Sequence, residues 1–224
     1  EDNWKFENVG EKLGAGSDTD SVTWGEVSCQ ISESFEVAAF DAYAYDVANL
    51  VGTRVKYHLT DDAALLGYYR HESSVGEYDD ISEYDADAFG LSVQQKIGKT
   101  TLESGYFGVK GGTLRFEEVS TGINHALGSS LMIYPAMFNE GADTAYLKAV
   151  TKCGKTVFYT LYNHTWHNHD KTDFNGQELD VVVKHPLTKN LTVAFKGGAA
   201  HRDGKRGRSD TTASDARLFV TYTF

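Results

Sequence analysis

The sequence predicts an all-β chain, a transmembrane antiparallel up-and-down β-barrel of about twelve strands. Three observations predict it. The C-terminal segment alternates apolar and polar residues one by one. The connections between such segments alternate short and long. The composition is rich in tyrosine and glycine and nearly free of proline. The length of 224 residues suits one sizeable domain, expected to span residues 1–224.

Composition narrows the class without deciding it. Proline occurs twice against 22 glycines, which suits long strands because proline cannot donate to a sheet ladder. The mean hydropathy of −0.40 fits a soluble protein, but it also fits a barrel in which only alternate strand residues meet lipid. No run of about 18 apolar residues exists, so a membrane-crossing helix is excluded. The net charge of −11 argues against nucleic acid as a partner. Cys29 and Cys153 have no metal-ligand spacing, and a disulfide and two free thiols are equally open.

The last segment shows the alternation best. Ala216, Leu218, Val220, Tyr222 and Phe224 form one set; Asp215, Arg217, Phe219, Thr221 and Thr223 form the other. Side chains alternate faces along a strand, so one face is greasy and the other mostly polar. In a barrel this means lipid outside and lumen inside. A chain ending within a strand on Phe224 resembles the C-terminal signature of bacterial outer-membrane barrels. That resemblance implies recognition by the barrel assembly machinery.

Earlier segments with the same character cover 21–31, 35–46, 50–60, 63–72, 83–97, 100–110, 143–152, 156–167, 176–186 and 190–201. A weaker one, Asn3–Val9, would make the strand number even. Ser32–Ser34, Thr60–Asp62, Gly98-Lys99, Cys153–Lys155 and Pro186–Asn190 are short turns. Ala48–Leu50, Glu72–Ser82, Gly111–Asp143, Asn168–Gly176 and Arg202–Ser214 are the intervening connections, mostly long. Tight turns at one rim and long loops at the other are an outer-membrane pattern, which a soluble sandwich has no reason to copy.

Gly128-Ser-Ser-Leu-Met132, Asn139-Glu-Gly-Ala-Asp-Thr-Ala-Tyr-Leu-Lys148, Gly176-Gln-Glu-Leu-Asp180 and Asn190-Leu-Thr-Val193 resemble the C-terminal half of OprD-like porins. The resemblance spans about residues 50–224 and is loose in the loops. It implies passive uptake of small hydrophilic solutes or ions through a bacterial outer membrane, with no enzymatic step and no cofactor. Porins of that family are typically larger than this chain.

Alternation also sorts the charges. With Val51, Thr53, Val55, Tyr57 and Leu59 outward, Arg54, Lys56 and His58 point inward. The same reasoning turns inward Lys96, Glu103, Lys148, Glu178, Asp180, Lys184, Lys196, Asp215 and Arg217. A charge on the lipid face near the midplane costs roughly 2–4 kcal/mol, which gives the sorting its physical basis. Clusters of both signs would orient a zwitterion or carboxylate; equally, they would simply pair with one another. Segments 35–46, 63–72 and 156–167 give no clear facing. Trp4, Trp24, Tyr57, Tyr69, Tyr106, Tyr134, Tyr159, Trp166 and Tyr222 are candidates for aromatic girdles at the strand ends.

The connection Gly111–Asp143 is the longest, and a loop of that length has a function or lacks order. Glu117 and Glu118 become constriction candidates if it folds inward, and rim residues if it folds outward. His164, His167, His169 and Asp170 carry metal-ligand chemistry, but interfacial placement of the rings explains them better. Asp79, Asp80, Asp85 and Asp87 form an acidic rim in which calcium would bridge to lipopolysaccharide, although solvation alone accounts for them. No metal site is therefore assigned. The basic run Arg202–Arg208 suits lipopolysaccharide phosphates or plain solvation. The expected partners are the lipid bilayer, lipopolysaccharide and small polar solutes, with monomer and homotrimer both open. A plugged barrel acting as a surface anchor or adhesin is the alternative function.

Overall fold

The computed structural model describes residues 22–76, 83–114, 135–167, 175–204 and 209–223. Eleven strands form a single sheet: β1 (Val22–Ser32), β2 (Phe35–Ala44), β3 (Ala48–Thr60), β4 (Ala63–Ser74), β5 (Asp85–Ile97) and β6 (Thr100–Lys110), then β7 (Ala142–Cys153), β8 (Thr156–His167), β9 (Asn175–Pro186), β10 (Leu191–Arg202) and β11 (Thr211–Tyr222). Each strand pairs antiparallel with its chain neighbour, from β1 through to β11. The expected segments from 21–31 onward all appear as strands, with ends differing by a few residues. Strand Asn3–Val9 and Phe224 lie outside the described residues. Among those residues β1 and β11 are the two edges of the sheet, and it is unclosed between them.

Strand lengths of 10 to 13 residues are enough to cross a hydrocarbon core, which takes about 9–11 tilted residues. The short connections are tight turns at one rim. Two of them, Gly98-Lys99 and Gly154-Lys155, place glycine first at φ 59° and 60°. Only glycine takes that left-handed conformation without cost, and a glycine-first turn matches the twist of a hairpin.

One face of the sheet is apolar and open. Val51, Leu59, Phe89, Leu91, Val93, Ile97, Leu147, Tyr162, Leu179, Phe195, Leu218 and Val220 are all exposed on it. In water, an apolar surface of this extent would aggregate or bind a partner; against lipid it is the solvated state. Tyr57, Tyr69, Tyr106, Trp166 and Tyr222 share this outer face, as expected of girdle residues. Trp24 and Tyr159 depart from that expectation. Their register partners, Ala42 for Trp24 and Val182 for Tyr159, lie on the inner face. Trp4 and Tyr134 are outside the described residues.

The opposite face carries the core. Phe40, Leu50, Tyr68, Phe107 and Val109 from β2–β6 pack together with Leu114, Met137 and Phe138. The last three belong to the stem of the longest connection, where a 3-10 turn spans Pro135–Phe138. The Leu114 N–H donates to the Phe138 carbonyl at 2.9 Å, and the Phe138 ring meets Phe107 edge-on at 6.2 Å. The described stem of this loop therefore folds onto the inner face. Gly52 makes room for the Phe40 ring beside it, because a Cβ there would lie 2.3 Å from that ring.

Leu91, at the centre of β5 and on the outer face, tests the lipid assignment. Leu91→Arg is expected to destabilise the protein in lipid vesicles by about 2–4 kcal/mol, whereas Gln94→Arg on the inner face should cost well under half of that. Urea unfolding in vesicles measures both, and equal losses would contradict the facing.

Candidate functional site

The register converts the inner face into ladder rows. One row runs Glu36, Lys56, Leu66, Ser92, Gly105, Tyr146, Asn163, Glu178, Ala200. The next runs His58, Ala64, Gln94, Glu103, Lys148, Leu161, Asp180, Gly198, Asp215. A third runs Lys96, Thr101, Val150, Tyr159, Val182, Lys196, Arg217. Arg54 stands two residues beyond Lys56 on β3, and Lys184 two residues beyond Val182 on β9. All the strand charges singled out in the sequence thus share one face, in a band a few rows deep. Glu117 and Glu118 lie outside the described residues.

The band has three parts. On β1–β4 a groove of about 480 Å³ is lined by Glu26, Glu36, Arg54 and Lys56. Arg54 reaches Glu26 at 2.5 Å, and the His58 Nε2 sits 3.0 Å from a Glu36 oxygen. A smaller hollow of about 110 Å³ adjoins it, between Lys56, His58 and Lys96 at the short-turn rim. Lys96 is only 3.9 Å from Asp62, and both side chains are mostly solvated. Cations outnumber acids along β3.

The second part, on β6–β9, is more enclosed and centres on Glu103, which is buried. Lys148, its register partner on β7, reaches it at 2.5 Å. The Tyr146 hydroxyl donates to its other oxygen at 2.7 Å, and the Gln94 amide donates at 3.4 Å. Gly105 makes this geometry feasible: a Cβ there would lie 2.7 Å from the Tyr146 hydroxyl oxygen. Buried Glu178 and Asp180 follow on β9, with Lys184 nearer the short-turn rim.

On β10–β11 Lys196 faces Arg217 directly across the ladder. Like charges in that position repel. Arg217 turns to Asp215 at 2.5 Å, while the Lys196 ammonium lies 5.1 Å from the Phe219 ring centroid. Each cation is thereby supplied with its own neighbour.

No protein-family model and no curated protein matches this chain. Solved structures match its fold closely. Pseudomonas aeruginosa OpdO superposes with a TM-score of 0.70 at 15% identity, over 91% of this chain and 57% of its own. The outer membrane protein OprD from Pseudomonas aeruginosa gives 0.70 at 14%, over 93% and 60%. Pseudomonas aeruginosa OpdK, solved with vanillate, gives 0.70 at 14%, over 91% and 56%. This is the OprD porin fold. The chain spans between half and two thirds of the length of those OprD-type porins.

Within this OprD-type sheet, the structure adds inner-face residues that sequence alternation did not isolate. Arg70 and Glu72 form a buried ion pair on β4, among the aromatics of the core. The segment 63–72 contains Leu65-Leu66 and Tyr68-Tyr69, so both faces look apolar and no period emerges. Segment 156–167 has the same defect in Val157-Phe158-Tyr159, which hid Tyr159 and Asn163. For Tyr146 a signal existed: it lies two residues from inward Lys148. His164 and His167 are an odd number apart on β8 and fall on opposite faces, so they cannot share an ion through that strand; His169 and Asp170 lie outside the described residues.

Glu103 also gives a test of coupling. Lys148→Met should destabilise the protein by about 1–3 kcal/mol, because it strips a buried carboxylate of its cation. Glu103→Gln with Lys148→Met should recover much of that loss. A double-mutant cycle in detergent measures the coupling, and strictly additive effects would refute it.

Proposed function

We propose that the protein is an outer-membrane channel that passes small hydrophilic solutes or ions by diffusion. The observation that carries this reading is the charged band on the inner face of a porin-type sheet whose outer face suits lipid. A conduit for polar solutes needs a wet wall inside and an apolar one outside. No covalent step is required, and passage depends on side chains binding weakly enough to release.

In this reading the inward-facing charges of the strands line the pore. Arg54, Lys56, His58 and Lys96 make the β3–β5 wall attractive to anions. Glu103, Glu178 and Asp180, buried in the β6–β9 wall, would lend it a negative potential from beneath the surface. A solute carrying a carboxylate and a cationic group would be oriented between them. The vanillate of OpdK, a small aromatic carboxylate, supports the carboxylate half of that description. The inward-packed loop stem narrows the space on the β2–β6 side and directs traffic along β6–β11. The edges β1 and β11 are paired in the membrane, since hydrocarbon offers no partner for an open ladder. The bilayer and small polar solutes are the partners; lipopolysaccharide at the long-loop rim and the barrel assembly machinery extend the same picture.

Single-channel recording of the refolded protein in a planar bilayer tests the proposal. Discrete conductance steps are expected. Arg54→Glu with Lys56→Glu should move the reversal potential under a salt gradient toward cation preference. Folded protein that inserts without conducting would sink the channel and favour a plugged anchor.

A further inference from the structure

We propose that His71, Asp85 and Asp87 form a binding site for a divalent transition-metal ion, zinc or copper in class, on the outer face at the long-loop rim. His71 on β4 is the register partner of Asp87 on β5, and Asp85 lies two residues away on the same face. The His71 Nδ1 is 3.2 Å from Asp87 Oδ1 and 3.6 Å from Asp85 Oδ1. One donor atom from each of the three residues falls within 4.8 Å of the others.

The two His–Asp separations suit a metal. A four-coordinate ion holding nitrogen and oxygen donors at roughly 2.0–2.2 Å keeps those donors about 3.3–3.6 Å apart. Three protein donors leave one position open toward solvent. Charge points the same way. Two carboxylates two residues apart on one face repel, and a single imidazolium compensates only one of them, whereas a divalent ion compensates both. The imidazole nitrogen selects zinc or copper over calcium and magnesium, which take oxygen donors.

The surroundings hold the acids in place. The Tyr69 hydroxyl donates to Asp87 Oδ1 at 2.7 Å and fixes that carboxylate. Lys110 is the β6 register partner of Asp87, yet its ammonium lies over the Phe89 ring at 5.2 Å from the centroid. A bound ion would clamp β4 to β5 at the base of the connection that joins them. The site is on the outer face and stands or falls independently of conduction.

The full chain, refolded in detergent and stripped with a chelator, is titrated with zinc chloride by calorimetry. One zinc per chain is expected, and X-ray absorption should show one imidazole nitrogen and carboxylate oxygens around it. His71→Gln and Asp87→Asn should each weaken binding at least about tenfold. His201→Gln, which alters another rim histidine beside an aspartate, should leave it unchanged. Circular dichroism and heat-modifiable mobility establish that each variant is folded. Absence of stoichiometric zinc on the folded wild type, or equal affinity in the His71→Gln/Asp87→Asn double variant, would overturn the site.

Discussion

Hydrocarbon cannot hydrogen-bond to a peptide group, and the organisation of this chain follows from that constraint. Every backbone donor and acceptor inside a membrane must be satisfied by another strand. An up-and-down sheet does this with the shortest possible connections. Its pleat then assigns every second side chain to lipid and every other one to the interior. The apolar exposure of Leu91, Leu179 and Leu218 and the burial of Glu103 and Asp180 are two sides of one period.

The inner face is organised by a second rule. A charge withdrawn from bulk water needs partners close at hand. The structure meets this in different ways along the wall. Arg54 takes Glu26 from β1 and His58 takes Glu36 from β2, while the groove beside them stays open. Glu103 is buried and ringed by Lys148, Tyr146 and Gln94. Lys196 and Arg217, forced opposite each other by register, separate by turning to Phe219 and Asp215. A wall built this way places charges of both signs side by side along one face.

The long-loop rim behaves differently from the short-turn rim. At the short-turn rim two glycine-first turns reverse the chain with little left over. At the long-loop rim the stem of one connection returns to the interior and buries Leu114 and Met137 against β2–β6. On the outside of the same rim the apolar band ends in His71, Asp85 and Asp87 beside Tyr69. Polar chemistry therefore resumes on both faces where the hydrocarbon stops.

The sequence by itself determined the eleven described strands, their antiparallel order and the facing of most charges, because a period of two is a local property. Arg54, Lys56 and His58 could be turned inward from their own neighbours alone, as could Glu178 and Asp180. Local reading failed where adjacent apolar residues erased the period, as at Leu65-Leu66 and Val157-Phe158, and so it missed the Arg70–Glu72 pair and Tyr159. Tertiary structure alone decided which charges meet. Register set Glu103 beside Lys148 and His71 beside Asp87 across separations in sequence that carry no mark of the pairing. It also decided that the stem of the longest connection folds inward, since that depends on whether Phe40, Tyr68 and Phe107 together offer an apolar surface for it to cover.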